Sequence, residues 1–520
     1  MYRGVPVLKV NSLVVFLVTL LSGCAVNPVT GEKELSLIST EQELAIGSQQ
    51  YEPSQQAQGG RYYIDPQIQT YVSDIGQKLA AHSDRPGLPY EFVVLNNPVP
   101  NAWALPGGKI AINSGLLLHL EDEAQLAAVL AHEIVHAAAR HGASQMSRGV
   151  LMGVGAQVAT IAASNAGYGG LGNFAQLGAQ AWMARYGRED ELESDRYGME
   201  YMQRAGYDPY AAVELQETFV KLNQNRQQDF ISGLFASHPP SQERVNRNRE
   251  KAATLPGGGV RNRDRYQREI AQLKKDQPAY EAQGKAIEAL NDKDPRRALS
   301  HLDKAVAIQP REGYFWELRG HAWKMLDDNA RAEQAFSTAI EKNRDYFSHY
   351  LARGVIRYEQ GRKSQAVADL QRSYELLPTP TASYYLGEYN RAKGNLDQAL
   401  GFYQQAAQAD SELGQKARQQ MAILELGQAP HKYLPTRPYV GKDGTLWVVV
   451  QNNAGVAVAD VELQLVEMAG AFAVARRTTL NGPARLAAGE QAVIRTGIPL
   501  ADSDAIGRFR TRVMAAKPLP

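Results

Sequence analysis

The sequence predicts a multidomain chain: a mainly α (α+β) domain, then an all-α repeat solenoid, then a small β-sandwich. Three observations carry that expectation. An apolar helix near residues 124–140 contains His132-Glu133-Ile134-Val135-His136, small residues recur every 33 or 34 positions in the second half, and after about residue 440 the texture turns to short alternating strands. A chain of 520 residues has room for several domains. Its 56 basic and 55 acidic residues nearly cancel, so no net field draws it to nucleic acid or acidic lipid. One cysteine excludes both a disulfide framework and a cysteine-built metal site.

In chain order, residues 1–24 read as a secretory signal. Arg3 and Lys9 form its basic start, and Leu13 to Leu21 an apolar stretch too short to span a bilayer. Leu21-Ser22-Gly23-Cys24 resembles the bacterial lipobox, which implies that Cys24 is lipidated and becomes the mature N-terminus. Ala25 stands where a lipoprotein retained in the inner membrane usually has Asp, so the resemblance implies the outer membrane. Several acyl chains give stable attachment.

Residues 25–254 form the expected mainly α domain. Tyr90–Leu95 and Lys109–Asn113 read as strands, and Gly107-Gly108 permits a tight turn before the second. Asp122 with Gln125 three residues later reads as a capping box, the run from Ala124 to Arg140 as a helix, and Gly142 as its stop. A helix this apolar is buried, and buried histidines need a partner or a metal. His132 and His136 project from one face a turn apart, with Glu133 about 100° further round, able to reach a water beside a metal without being a ligand. Nitrogen ligands, an open position and a general base are the apparatus of a zinc hydrolase. The domain therefore reads as a zincin-like metallopeptidase holding one Zn2+ per chain. Spacing does not identify the third ligand. His141 lies about 140° around the helix from His136 and reads as an outer or helix-end histidine.

Four further stretches occur in order: Asn27-Pro28-Val29-Thr30-Gly31, Asn101-Ala102-Trp103-Ala104-Leu105-Pro106-Gly107-Gly108, Gly115-Leu116-Leu117, and His132 to His141, reading HEIVHAAARH. On these, residues 27–250 resemble the zinc metallopeptidase family of HtpX, BepA and the CAAX prenyl proteases, in a lipoprotein form. The resemblance implies that Asn101, Ala102, Trp103 and Ala104 form an edge strand beside the metal, onto which an extended substrate adds as another strand. The alternative is an internal hairpin serving only the fold. Glu191-Leu192-Glu193-Ser194-Asp195 matches the family's E-x-x-A-D with Ser194 in place of Ala. That implies Glu191 as the third ligand and Asp195 as the group orienting a ligating imidazole. Glu193 is the alternative ligand, although on a helix it points away from Glu191. Ser237-His238-Pro239-Pro240 with Arg244 implies a His238 that approaches the metal, either as a switch blocking the water's place or as a stabiliser of the tetrahedral oxyanion. The plainer reading is an exposed histidine before a proline turn. The implied activity is hydrolysis of misfolded or stalled envelope proteins at the periplasmic face of the outer membrane of a Gram-negative bacterium. The alternative is a chaperone or scaffold for outer-membrane protein assembly with latent proteolysis.

Residues 149–183 are rich in Gly and Ala, but Gln157, Ser164, Asn165 and Asn173 interrupt every apolar stretch. A helix pair over the site or beside a membrane is expected there rather than a membrane span. Residues 255–278 read as a linker: Leu255-Pro256-Gly257-Gly258-Gly259, then Arg261, Arg263, Arg265 and Arg268 among acids, a solvated hinge. From 279 to 430 the small residues Ala286, Gly320, Gly354 and Gly387, then Ala298, Ala332, Ala366 and Ala399, then Ala305, Ala339, Ser373 and Ala406 keep the period of tetratricopeptide repeats. Four repeats and a capping helix over Glu412–Leu426 follow from it. Such a solenoid presents a groove to protein partners, which the resemblance extends to outer-membrane assembly machinery. Tyr314, Phe315, Trp316, Tyr346, Tyr384 and Tyr385 are candidates to line it or to fill the core. Residues 440–516, with strands at Leu446–Val450, Val461–Leu465, Gln491–Ile498 and Arg508–Val513, read as the β-sandwich and carry no visible chemistry.

Overall fold

The computed structural model of the protein describes residues 24–153, 186–224, 234–469, 473–500 and 503–519. The signal segment before Cys24 and all but the first few of residues 149–183 lie outside the described residues. The chain divides into two compact units, Met1–Tyr346 and Phe347–Pro520.

The first unit opens with a small hairpin, β1 (Cys24–Val26) antiparallel to β2 (Lys33–Leu35). Helices α1 (Thr40–Ala57) and α2 (Pro66–Ala80) follow, then β3 (Glu91–Leu95), β4 (Ala102–Leu105) and β5 (Lys109–Asn113). β5 is central, parallel to β3 and antiparallel to β4, which leaves β4 on an edge. Ile110 and Ile112 of β5 face one core while Ala111 faces Tyr51 of α1, so every residue of the strand is buried and no alternation appears in its sequence. The β4–β5 turn puts Gly107 at φ 76° and Gly108 at φ 83°, conformations that cost glycine little.

Helix α3 (Glu123–Ala138) lies at the centre, with all its residues buried. The Asp122 side chain accepts from Gln125 N at 3.0 Å, but the Gln125 side chain accepts from Glu121 N, so only half of the expected capping box forms. The stop also differs from expectation. The helix ends at Ala138, Arg140 takes a left-handed φ of 64°, and Gly142 already lies within α4 (His141–Gly153). That backbone costs a non-glycine residue about 1–2 kcal/mol. Arg140 offsets it with charge-assisted bonds to Glu43 Oε2 (2.9 Å) and the Ile38 carbonyl (2.6 Å).

Helix α5 (Arg188–Arg204) packs along α3, and Gly198 permits the approach, since a Cβ there would stand 3.2 Å from His132 N. α6 (Tyr210–Gln224) and α7 (Gln242–Thr254) complete the layer. The segment expected to be a solvated hinge is fixed instead. Helices α8 (Arg263–Glu269) and α9 (Ala271–Asn291), with Ile270 between them, carry Tyr266, Ile270 and Leu273 into the core around α3, and Tyr266 Oη donates to the Leu117 carbonyl at 2.6 Å. Arg261 pairs with Asp122 at 2.8 Å. Three apolar residues at helical spacing outweigh the basic texture of that stretch.

Two helical hairpins follow, α9 with α10 (Pro295–Ile308) and α11 (Gly313–Met325) with α12 (Asn329–Lys342). Ala286, Ala298, Ala305, Ala332 and Ala339 are fully buried, and a Cβ on Gly320 would meet Phe336 at 2.4 Å, so the periodic small residues are contact points between paired helices. Phe315 is core. In the second unit α13 (Phe347–Glu359) pairs with α14 (Lys363–Leu376) and α15 (Pro380–Ala392) with α16 (Leu396–Ala406), followed by α17 (Glu412–Glu425). Seven further strands form two small sheets. β6 (Thr436–Val440), β7 (Thr445–Gln451) and β11 (Gln491–Pro499) make one, and β8 (Val458–Met468), β9 (Val474–Asn481), β10 (Arg485–Leu486) and β12 (Phe509–Pro518) the other. Val448, Val450, Leu463 and Val513 share the core between them.

Candidate active site

Helix α3 presents His132 and His136 one turn apart, α5 presents Glu191 and Asp195 one turn apart, and the segment from Leu234 into α7 brings in His238 and Arg244. The Nε2 atoms of His132 and His136 are 3.0 Å apart. Glu191 Oε2 lies 3.5 Å from His132 Nε2, and Glu191 Oε1 3.5 Å from His136 Nε2. His238 Nδ1 is 2.9 Å from Glu191 Oε1 and 3.3 Å from His132 Nε2. The four groups His132, His136, Glu191 and His238 thus each bring one potential ligand atom within 4.8 Å of the others, all buried. Glu193 stands outside this cluster, beside His141.

A buried carboxylate–guanidinium network supports the cluster. Asp195 Oδ1 is 2.9 Å from His132 Nδ1, which leaves Nε2 facing the shared point. Arg244 donates to Asp195 through Nε and Nη2, both at 2.7 Å, while its Nη1 lies 2.7 Å from Glu191 Oε2. The electrostatics follow. Burial pulls the His132 imidazole down, but its bonds to Asp195 and Glu191 outweigh that and push it up to about 10. Burial holds His136 well below its ordinary value. Burial would raise Glu191 and Asp195, but the charges of His238 and Arg244 for the first, and Arg244 for the second, hold them below the carboxylate range. Burial raises Glu133, against the nearby His238 and His132. A carboxylate so raised is suited to taking up a proton.

This donor set fits a metal ion. Two imidazole nitrogens, each with its other nitrogen already engaged by Asp195 or His141, and one carboxylate converge on a buried point. Nitrogen and oxygen donors in that number suit a borderline-soft divalent cation. Glu133 sits beside the point, with His238 Nε2 3.5 Å from its Oε1 and no hydrogen-bond partner for its Oε2 among the described residues.

Two features carried no sequence signal. Tyr186, just before α5, stacks on His136 (centroids 3.8 Å apart, planes 21°) and its hydroxyl donates to the Ala104 carbonyl of β4 at 3.4 Å. It touches both a candidate ligand and the edge strand, and burial raises its phenol well above the ordinary value. An apolar recess lined by Val129, Leu215, Phe219 and Leu234 opens beside Glu133. Among the described residues β4 is an edge strand, with Asn101 just before it, Ala102 and Ala104 buried, and Trp103 packed edge-on against Tyr51.

Residues 66–252 match peptidase family M48, and residues 321–379 and 351–413 match the tetratricopeptide repeat. The chain is 30% identical over 235 residues to the beta-barrel assembly-enhancing protease of Yersinia pestis, covering 43% of this chain and 47% of that protein. It is 31% identical over 217 residues to the beta-barrel assembly-enhancing protease of Escherichia coli (strain K12), covering 38% and 44%. It is 32% identical over 225 residues to the mitochondrial metalloendopeptidase OMA1 of Schizosaccharomyces pombe, covering 43% and 65%. The chain spans about half the length of the bacterial curated relatives it matches. The M48 match thus lies ahead of the tetratricopeptide-repeat matches in the chain.

Proposed function

We propose that the chain is a zinc-dependent metalloendopeptidase that hydrolyses misfolded or stalled outer-membrane proteins. It is held by lipid on Cys24 at the periplasmic face of the outer membrane of a Gram-negative bacterium, and its repeats recruit substrates or assembly partners. The single observation that carries the chemistry is the convergence of His132, His136 and Glu191 on one buried point beside Glu133. The names of the bacterial relatives support the substrate class. Anchoring through Cys24 rests on the lipobox resemblance; among the described residues no helix is long and apolar enough to cross a membrane.

His132, His136 and Glu191 would hold the zinc, which when bound supplies Lewis acidity toward a carbonyl and acidifies water. Asp195 keeps the His132 ring oriented, and Arg244 holds both carboxylates in place. Glu133 takes the proton of the attacking water and returns it to the leaving amine. β4 offers its free main-chain groups around Asn101, Ala102, Trp103 and Ala104 to an extended substrate, which displaces Tyr186 from the Ala104 carbonyl as it adds. The recess at Val129, Leu215, Phe219 and Leu234 takes an apolar side chain next to the scissile bond.

The test is Glu133→Gln. It is expected to bind zinc as the wild type does and to cleave an unfolded polypeptide at least ~100-fold more slowly. Near-normal cleavage would overturn the mechanism.

A second reading, assembly chaperone with latent proteolysis, is favoured by His238, whose Nδ1 sits among the candidate ligand atoms, where it would block the water's place. On that reading His238→Ala raises peptide cleavage. If His238 is instead an oxyanion stabiliser, the same substitution lowers it. Complementation of a deletion strain under envelope stress by Glu133→Gln would establish the chaperone role.

A further inference from the structure

On the far side of His136 lies a chain of polar contacts that the mechanism above does not use. His136 directs Nε2 to the ligand cluster and Nδ1 to His141, whose Nδ1 is 2.9 Å away. Only one proton can lie between two ring nitrogens. A lone pair on His136 Nε2 directed at a cation requires that proton to belong to His136 Nδ1. His141 then accepts at Nδ1 and carries its own proton on Nε2, a buried nitrogen that makes no hydrogen bond among the described residues and has Glu193 Oε1 3.3 Å away as its ion-pair neighbour. Glu193 Oε1 in turn accepts from Asn27 Nδ2 at 2.9 Å.

Asn27 is 2% exposed and uses its whole amide. Nδ2 donates to Glu193 and, at 2.7 Å, to Glu34 Oε1, while Oδ1 accepts from Val29 N (2.9 Å) and Thr30 N (3.3 Å). Glu34 Oε2 is fixed by Ser144 Oγ of α4 at 2.8 Å. Only asparagine meets these demands. Aspartate has no donors and would set a third carboxylate between Glu34 and Glu193; glutamine, one methylene longer, would lose the bonds to its own turn.

We propose that Asn27, through Glu193 and His141, positions the ligand His136, so that the 27–31 turn of the N-terminal hairpin is a working wall of the metal site. The proposal rests on the reading of His136 as a zinc ligand. Glu193, offered by the sequence as an alternative third ligand, acts two groups further out. His141 is the coupling between the hairpin and the catalytic helix.

The test measures zinc affinity of the purified full-length chain by competition with a chromophoric chelator, with thermal melting in EDTA alongside. Asn27→Ala and Glu193→Ala, which act on His136 only through His141, are each expected to weaken zinc binding about 10-fold, the low end of what loss of a direct partner of a ligating histidine costs. Glu193→Gln, which keeps the acceptor oxygen, is expected to recover most of the loss. The Glu193 side chain is 18% exposed, so Glu193→Ala is the milder of the two substitutions and, with its melting in EDTA compared with that of the wild type, carries the test if Asn27→Ala fails to fold. Affinities of Glu193→Ala and of folded Asn27→Ala within about twofold of a zinc-binding wild type would overturn this inference alone. A wild-type chain that takes up no zinc would overturn the metallopeptidase reading and this inference with it.

Discussion

Two helix pairs of the first unit, α3 with α5 and α11 with α12, have similar backbones and opposite interiors. Between α11 and α12, Gly320 lies against the Phe336 ring beside buried Ala332, Ala335 and Ala339, an interface decided chiefly by volume. Between α3 and α5 it is made largely by His132, His136, Glu191 and Asp195, closed by Arg244. Each buried charge costs several kcal/mol of desolvation, recovered only where partners are complete. The first pair is built for close packing. The second adds, to apolar contacts of Tyr201 and Met202 of α5 with the core of α3, the same groups that would do chemistry, so its stability and its function are coupled.

That contrast can be broken most sharply at Arg244. Arg244→Met leaves Asp195 and Glu191 buried without their cation, and about 3–5 kcal/mol of stability should be lost together with tight zinc binding. Thermal melting with and without zinc measures both, and a variant as stable as the wild type would show that the network is not what holds α5 to α3. At the packing-built pair, Gly320→Ala drives a methyl into Phe336, and overpacking of this kind costs about 1–3 kcal/mol, reduced by alanine's better helix propensity. Zinc affinity should not change, and a zinc effect would mean that the repeat is coupled to the site. The smallest effect is expected at Arg140→Gly. Relief of the left-handed backbone opposes loss of one cation from the buried Glu43 carboxylate, which keeps Arg85, leaving a net loss of about 1 kcal/mol.

The same contrast explains what could be read from the sequence. The small residues of the repeats, Ala286 through Ala406, are buried where their period puts them, because a stacked helix pair leaves one depth for each phase. His132, Glu133 and His136 were legible because a helix fixes where neighbours four residues apart point. Glu191, Asp195 and His238 needed a resemblance, since α5 and α7 reach α3 through tertiary packing that no spacing encodes. Tyr186 had no local signature, and Asn27, Glu193 and His141, though each lies in a motif stretch, had nothing in the sequence to join them. In the linker the basic pattern masks Tyr266, Ile270 and Leu273, which bury it. β6, β9 and β10 escaped notice because their exposed faces carry residues such as Arg476, Arg477 and Arg485 in place of an apolar alternation.

The central claim is that His132, His136 and Glu191 form one zinc site built from two helices. The most direct measurement is zinc content per chain by elemental analysis of the purified protein, for the wild type and for His136→Ala and Glu191→Ala. The account predicts one zinc in the wild type and its loss in both variants, with the protein still folded. Zinc retained at full occupancy without His136 or Glu191, or absent from the folded wild type, would contradict it.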